Sequence, residues 1–174
     1  MQSIRLRTAS LLLMLLALPA LAKQSDFQKP VDVVSKTQFG DMTAGTLTFS
    51  GNVVIRQGTI LVHADKVIAV RDKEGQIKTI TAYGKPATFH QLMDDGRPVD
   101  GRADTLLYQV SKQLVTLTGE AQVKQLESEV TGNVITYQMD KQQINAQSKG
   151  KQDRVHTVFI PNQFKKSDTK QSNK

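Results

Sequence analysis

Apolar and polar residues alternate with a period of two along most of this chain, and almost nowhere with the 3.6-residue period of a helix. Val31 and Val33 flank Asp32. Leu47 and Phe49 alternate with Thr46, Thr48 and Ser50, and Val53 and Ile55 follow. Ile60 and Val62, then Val67 and Ala69, continue the pattern. Leu106, Tyr108 and Val110, then Val115 and Leu117, then Ala121 and Val123, and finally Ile135, Tyr137 and Met139 complete it. Each run is short and rich in β-branched residues, as strands are. Turn signals separate the runs: Ser50-Gly51-Asn52, Gln57-Gly58, Asp72 to Gly75, Asp94 to Pro98, and Gly132-Asn133. The pattern predicts an all-β sandwich, barrel or roll of antiparallel strands.

The chain also resembles itself. Shifted by 68 positions, Phe49 to Val67 lies on Leu117 to Ile135 without a gap. Gly51 falls on Gly119, Val53 on Ala121, Ile55 on Val123, Gln57 on Gln125 and Val62 on Val130. A finer repeat opens at Ala64-Asp65, Ala103-Asp104 and Gly132-Asn133. Its units begin 39 and 29 residues apart, which disfavours the regular rungs of a parallel β-helix. A meander of hairpins stacked into an elongated roll fits better.

The ends add compartment. Arg5 and Arg7 precede the apolar run Ala9 to Leu18, and Ala20-Leu21-Ala22 supplies the small-x-small site of a signal peptidase. The run is too short to span a bilayer, which needs roughly 20 residues. Residues 1–22 are therefore expected to be a cleaved secretory signal, 23–164 one β-domain, and 165–174 a disordered basic tail, in a periplasmic protein. The chain has no Cys, so burial and backbone pairing must hold the fold. It carries 23 basic and 16 acidic residues, a net +7 that falls to +5 without Arg5 and Arg7. The basic residues are spread along the chain, as on a solvated basic surface, although an anionic partner also suits them. Nucleic acid does not, since aromatic stacking platforms are scarce.

Candidate chemistry is thin. His63, His90 and His156 lack metal-ligand spacing, so no metal and no cofactor are expected. Asp94 and Asp95 sit in a turn, Glu127 and Glu129 share an outward strand face, and Asp65 and Asp104 recur with the repeat, as turn or strand-start residues do. Nucleophile elbows, phosphate loops and dinucleotide fingerprints are absent, and no enzyme is expected. What remains is the apolar alternation. It builds either a filled core or a groove that takes an apolar ligand. A dozen buried methylenes would contribute roughly 10 kcal/mol gross, at about 0.8 kcal/mol each.

The leader, TFSGNVVIRQGTILVHADKV at Thr48 to Val67, YGKPATFHQ at Tyr83 to Gln91 and LTGEAQVKQ at Leu117 to Gln125 together resemble the OstA-like (LptA) family of periplasmic lipopolysaccharide transport proteins. The resemblance runs from about Pro30 to about Phe164. It implies an elongated, twisted antiparallel β-jellyroll, slightly open along one side, with an apolar interior groove that holds the lipid A part of lipopolysaccharide. It implies no catalytic residue. It also implies three protein partners: an LptC-like inner-membrane-anchored protein, the N-terminal domain of an LptD-like outer-membrane protein, and further copies stacked end to end.

The alternation nominates the inner face: Val31, Val33, Leu47, Phe49, Val53, Ile55, Ile60, Val62, Val67, Ala69, Phe89, Leu106, Tyr108, Val110, Val115, Leu117, Ala121, Val123, Ile135 and Tyr137. A slip of one residue would turn any strand's set outward. By the resemblance, strand addition uses the edges near Val31 and Val33 and near Val158, Phe159 and Ile160. Two alternatives stand beside lipid transport. One is a β-roll filament that binds no lipid; the other is a periplasmic enzyme or inhibitor acting on cell-wall sugar.

Overall fold

In a computed structural model of the chain, the described residues are 26–93, 95–141, 143–150 and 152–161. The expected signal segment and the tail from Lys165 lie outside them. Ten strands follow one another: β1 (Asp32–Val34), β2 (Thr37–Asp41), β3 (Thr46–Gln57), β4 (Ile60–Arg71), β5 (Ile77–Leu92), β6 (Pro98–Gln109), β7 (Leu114–Gln125), β8 (Ser128–Gln138), β9 (Gln143–Gln147) and β10 (His156–Val158). They form one antiparallel sheet in which β3 to β8 meander in sequence order. Among the described residues, no helix is long and apolar enough to cross a membrane.

Every neighbouring pair of the six long strands changes register near its middle. The shifts lie between Ser50 and Val53 of β3, His63 and Lys66 of β4, Tyr83 and Ala87 of β5, Arg102 and Thr105 of β6, and Thr118 and Ala121 of β7. They stand side by side, so a line of bulges crosses the sheet. A bulge bends its strand and increases its twist. Aligned bulges crease the sheet into two leaves.

This line corrects three sequence expectations. Ser50-Gly51-Asn52 is not a turn between strands but the bulge inside β3, with Gly51 at φ 84° and Asn52 at φ 49°. Gly132-Asn133 lies inside β8, opposite the β7 bulge. Ala64-Asp65 and Ala103-Asp104 mark strand middles, not strand starts. The same residue types serve turns and bulges because both demand left-handed or otherwise irregular backbone.

One leaf contains 46–50, 66–71, 77–83, 105–109, 114–118 and 134–138, extended by β2 and β9. The other contains 53–57, 60–64, 87–92, 98–103, 121–125 and 128–132, extended by β1 and β10. Both outer edges are thus split at the crease. The core lies between the leaves, and Ile135, Val53 and Val67 are its largest fully buried side chains. Gly101 in one leaf shows how closely they approach: a Cβ there would lie 3.1 Å from Leu117 Cδ2 in the other.

The turns that join the strands form two lips. Asp26 secures one of them by accepting from the Thr59 backbone N–H at 3.0 Å and pairing with the Thr59 hydroxyl. In the β5–β6 turn, Asp95 accepts from the backbone N–H of Arg97 at 3.0 Å and from its Nε at 2.6 Å. The backbone N–H of Arg97, above all, holds the Asp95 carboxyl below the usual carboxylate range.

Candidate functional site

An apolar cavity of about 90 Å³ opens between the leaves. Ile55, Ile60, Val62 and Phe89 line it from one leaf. Ile80, Ala82, Leu106, Tyr108 and Val115 line it from the other, and Val31, Gln57 and Met139 complete it. Only Gln57 and Tyr108 bring polar groups. Cross-strand register explains this convergence. Ile55, Val62, Phe89 and Gly101 form one inward row, continued by Val123 and Val130. Ala69, Ile80, Tyr108, Val115 and Tyr137 form the facing row. Burial raises the Tyr108 hydroxyl above the ordinary tyrosine range, because the phenolate would lose its water.

The nominated inner-face residues separate into three groups. Val53, Ile55, Ile60, Val67, Ala69, Leu106, Val115, Leu117, Ala121, Val123, Ile135 and Tyr137 are buried. Val33, Phe49, Val62, Phe89 and Tyr108 are half-buried and packed on the core, and Leu47 is half-buried at the upper end of β3. Val31 and Val110 depart from the strand pattern. Val31 precedes β1, is exposed, and reaches only the mouth of the cavity. Val110 is not a strand residue, since β6 ends at Gln109 and Val110 begins a 3-10 turn closed by Gln113 N–H donating to Val110 O at 3.1 Å.

The sequence reading missed Ile80 and Ala82, although both line the cavity. They belong to the first half of β5, where alternating Thr79, Thr81 and Tyr83 make an unremarkable polar face. The alternation Ile80, Ala82 would have found them. Met139 was part of the observed alternation but not of the nominated set. Small residues at the crease, Ala64, Ala87 and Ala103, are buried too, and their size lets the leaves close there.

The candidate chemical groups fall elsewhere. His63 and His90 are strand residues. His90 Nδ1 donates to Asp100 Oδ1 at 2.7 Å across a β5–β6 pair on the outer surface. Among the described residues, no group of three or more His, Asp or Glu is arranged to hold a metal ion.

The nominated edges are edges of the sheet. Among the described strands, β1 pairs only with β3, and β10 pairs only with β8. Val31, Val34, Val158 and Phe159 are exposed there. Ile160 is half-buried, and its N–H donates to Ser128 Oγ at 3.0 Å.

Known proteins are similar to this chain in sequence and in architecture. The lipopolysaccharide export system protein LptA of Haemophilus influenzae is 44% identical over 150 residues, covering 85% of this chain and 87% of its own. LptA of Escherichia coli K12 is 42% identical over 156 residues, covering 88% and 83%. The crystal structure of LptH from Pseudomonas aeruginosa, described as the LptA-homologous periplasmic component of a lipopolysaccharide transport device, superposes with a TM-score of 0.71 at 28% identity. It covers 79% of this chain and 100% of its own. The profile of one family, the LptA/(LptD N-terminal domain) LPS transport proteins, matches residues 32–143. With that match, and with relatives above 40% identity over most of their length, the chain belongs to the LptA/(LptD N-terminal domain) LPS transport protein family.

Proposed function

We propose that this chain is a periplasmic lipopolysaccharide transport protein whose roll receives the acyl chains of lipid A between its leaves. The observation that carries the reading is the apolar cavity, lined from both leaves and flanked by the half-buried Phe89 and Tyr108. At about 90 Å³ it is far smaller than the roughly 300–1,000 Å³ of ordinary ligand pockets, so cargo must part the leaves. The architecture makes that inexpensive. The strand ladders run through the crease, and the backbone hydrogen bonds of the turns run within one lip. Parting the lips therefore exposes apolar side chains without breaking a ladder. An acyl chain then covers them, contributing about 0.8 kcal/mol per methylene.

The two split edges suit strand addition by neighbours. On this reading, β1 and β10 join the roll to an LptC-like protein, to the N-terminal domain of an LptD-like protein, and to further copies. Such a bridge links the inner-membrane complex to the outer-membrane translocon. The reading gives the chain no catalytic step.

The small cavity also favours a second reading, a filament-forming roll that carries no lipid. Photo-crosslinking separates the two. A photoreactive residue at Tyr108, with a control at its outward neighbour Gln109, is expected to capture lipopolysaccharide in cells at 108 and not at 109. Equal capture at both, or none at either, would overturn lipid carriage inside the roll.

A further inference from the structure

Glutamine recurs near the end of the first strand of each long hairpin. Gln57, Gln91 and Gln125 are spaced by 34 residues each, and the hairpins bring them to one lip. Register sets them in one row with Ile60, Val99 and Ser128: Gln57 faces Ile60, Gln91 faces Val99, and Gln125 lies between Val99 and Ser128. That row points inward. Ile60, Val99 and Ser128 are only 8%, 3% and 9% exposed, and Gln57 lines the cavity. Successive glutamines are two strands apart, roughly 10 Å along the roll.

The neighbouring positions sharpen the contrast. Two residues deeper on each strand stand Ile55, Phe89 and Val123, all apolar. The amides therefore mark where an apolar interior gives way to the open lip. An inward amide is costly unless its hydrogen bonds are met. Gln57 Nε2 donates to Lys29 O at 3.0 Å. Gln125 Nε2 meets only a weak acceptor, Met93 Sδ, at 2.8 Å. Gln91 has no side-chain hydrogen bond to any described residue, which leaves its donors and acceptor for a ligand or water.

We propose that Gln57, Gln91 and Gln125 form a polar ladder that receives the neutral linkage groups of the cargo: the amide, ester and hydroxyl groups that join acyl chains to a sugar. The proposal rests on the transport reading above. A primary amide both donates and accepts and carries no charge, so it matches neutral linkages better than phosphates. Equivalent rungs along the roll present the same contact every two strands, so a cargo moving lengthwise exchanges one amide for the next.

The test uses the purified mature chain and two probes, lipopolysaccharide and the apolar fluorophore N-phenylnaphthylamine. Gln91→Leu is expected to weaken lipopolysaccharide binding about 3- to 10-fold, the loss of one or two net hydrogen bonds. The triple Leu variant is expected to weaken it by about 30-fold or more, with fluorophore affinity held within about twofold. Gln91→Leu guards against misfolding, because it removes no hydrogen bond to the protein. Unchanged lipopolysaccharide affinity in folded Gln91→Leu and triple variants overturns the ladder and leaves the transport reading standing. An equal loss for both probes also overturns it, by showing that the glutamines shape the lip only. Wild-type protein that takes the fluorophore but not lipopolysaccharide overturns the transport reading and the ladder together.

Discussion

Asn52 and Glu120, 68 positions apart, adopt the same left-handed backbone conformation, with φ of 49° and 45°. Each follows a glycine of positive φ, Gly51 at 84° and Gly119 at 81°. Each pair forms the bulge of its strand. The internal repeat therefore reproduces a bend, and the bends build the crease on which both leaves depend.

The crease predicts an ordered series of glycine effects. A Cβ at Gly119 would lie 2.3 Å from Asp104 Oδ2 and 2.9 Å from Asp104 Cβ, whereas one at Gly75, also at positive φ, meets nothing within 4 Å. Gly75→Ala is expected to cost about 1 kcal/mol from backbone strain alone. Gly119→Ala should cost more, about 2–3 kcal/mol, and urea unfolding of both variants measures the gap. Equal costs would show that Asp104 moves aside freely.

Core truncation should depend on depth within one sheet face. Ile135 is fully buried in β8, while Ile144 in β9 is exposed at the edge. Ile135→Ala is expected to lose about 2–5 kcal/mol and Ile144→Ala less than about 1 kcal/mol. Chemical denaturation at matched conditions reads both.

Charge placed on the inner face should abolish cargo binding without dissolving the sheet. Phe89→Asp puts a carboxylate against the cavity, and Thr88→Asp puts one on the opposite face of the same strand. The first is expected to lose lipopolysaccharide binding with the β-sheet circular dichroism retained, and the second to keep both. Phe89→Leu, which keeps the apolar surface, should retain most of the binding. Binding by Phe89→Asp equal to wild type would argue against an interior lipid site.

Edge charges should block end-to-end assembly. Val34 in β1 and Val158 in β10 are exposed on strands that, among the described residues, pair on one side only. Lysine at both positions is expected to shift sedimentation toward the monomer, because charged edges resist strand addition. Lipopolysaccharide binding by each roll should persist.

Alkaline pH should expose the burial of Tyr108. Its folded-state ionisation lies above the ordinary value of 10.0 because burial disfavours the phenolate. The unfolded chain ionises first as pH rises. The stabilisation is therefore complete below about pH 10 and is lost as pH rises through the folded value. Tyr108→Phe removes this linkage. Urea midpoints at neutral pH and near pH 10.5 should fall further in wild type than in the variant.

The sequence by itself determined the strand class, most of the inward set and the family. Period-two alternation is a local property, and it places Val53, Ile55, Val67, Leu117 and Ile135 on one face wherever the strand runs. The 68-residue repeat likewise marked Gly51 and Gly119 as equivalent positions. Only the tertiary structure decided that Gly51 sits in a bulge rather than a turn, and that Gly119 sits in a bulge as well. Gly-Asn supplies left-handed backbone in either setting, and the choice depends on a partner strand far along the chain. It also decided that Val110 leaves the strand pattern, that Ile80 and Ala82 line one cavity with Phe89 from facing leaves, and that the interior is nearly filled. Cavity volume depends on how closely two leaves approach, a distance set by residues such as Gly101 and Leu117 that no local pattern connects.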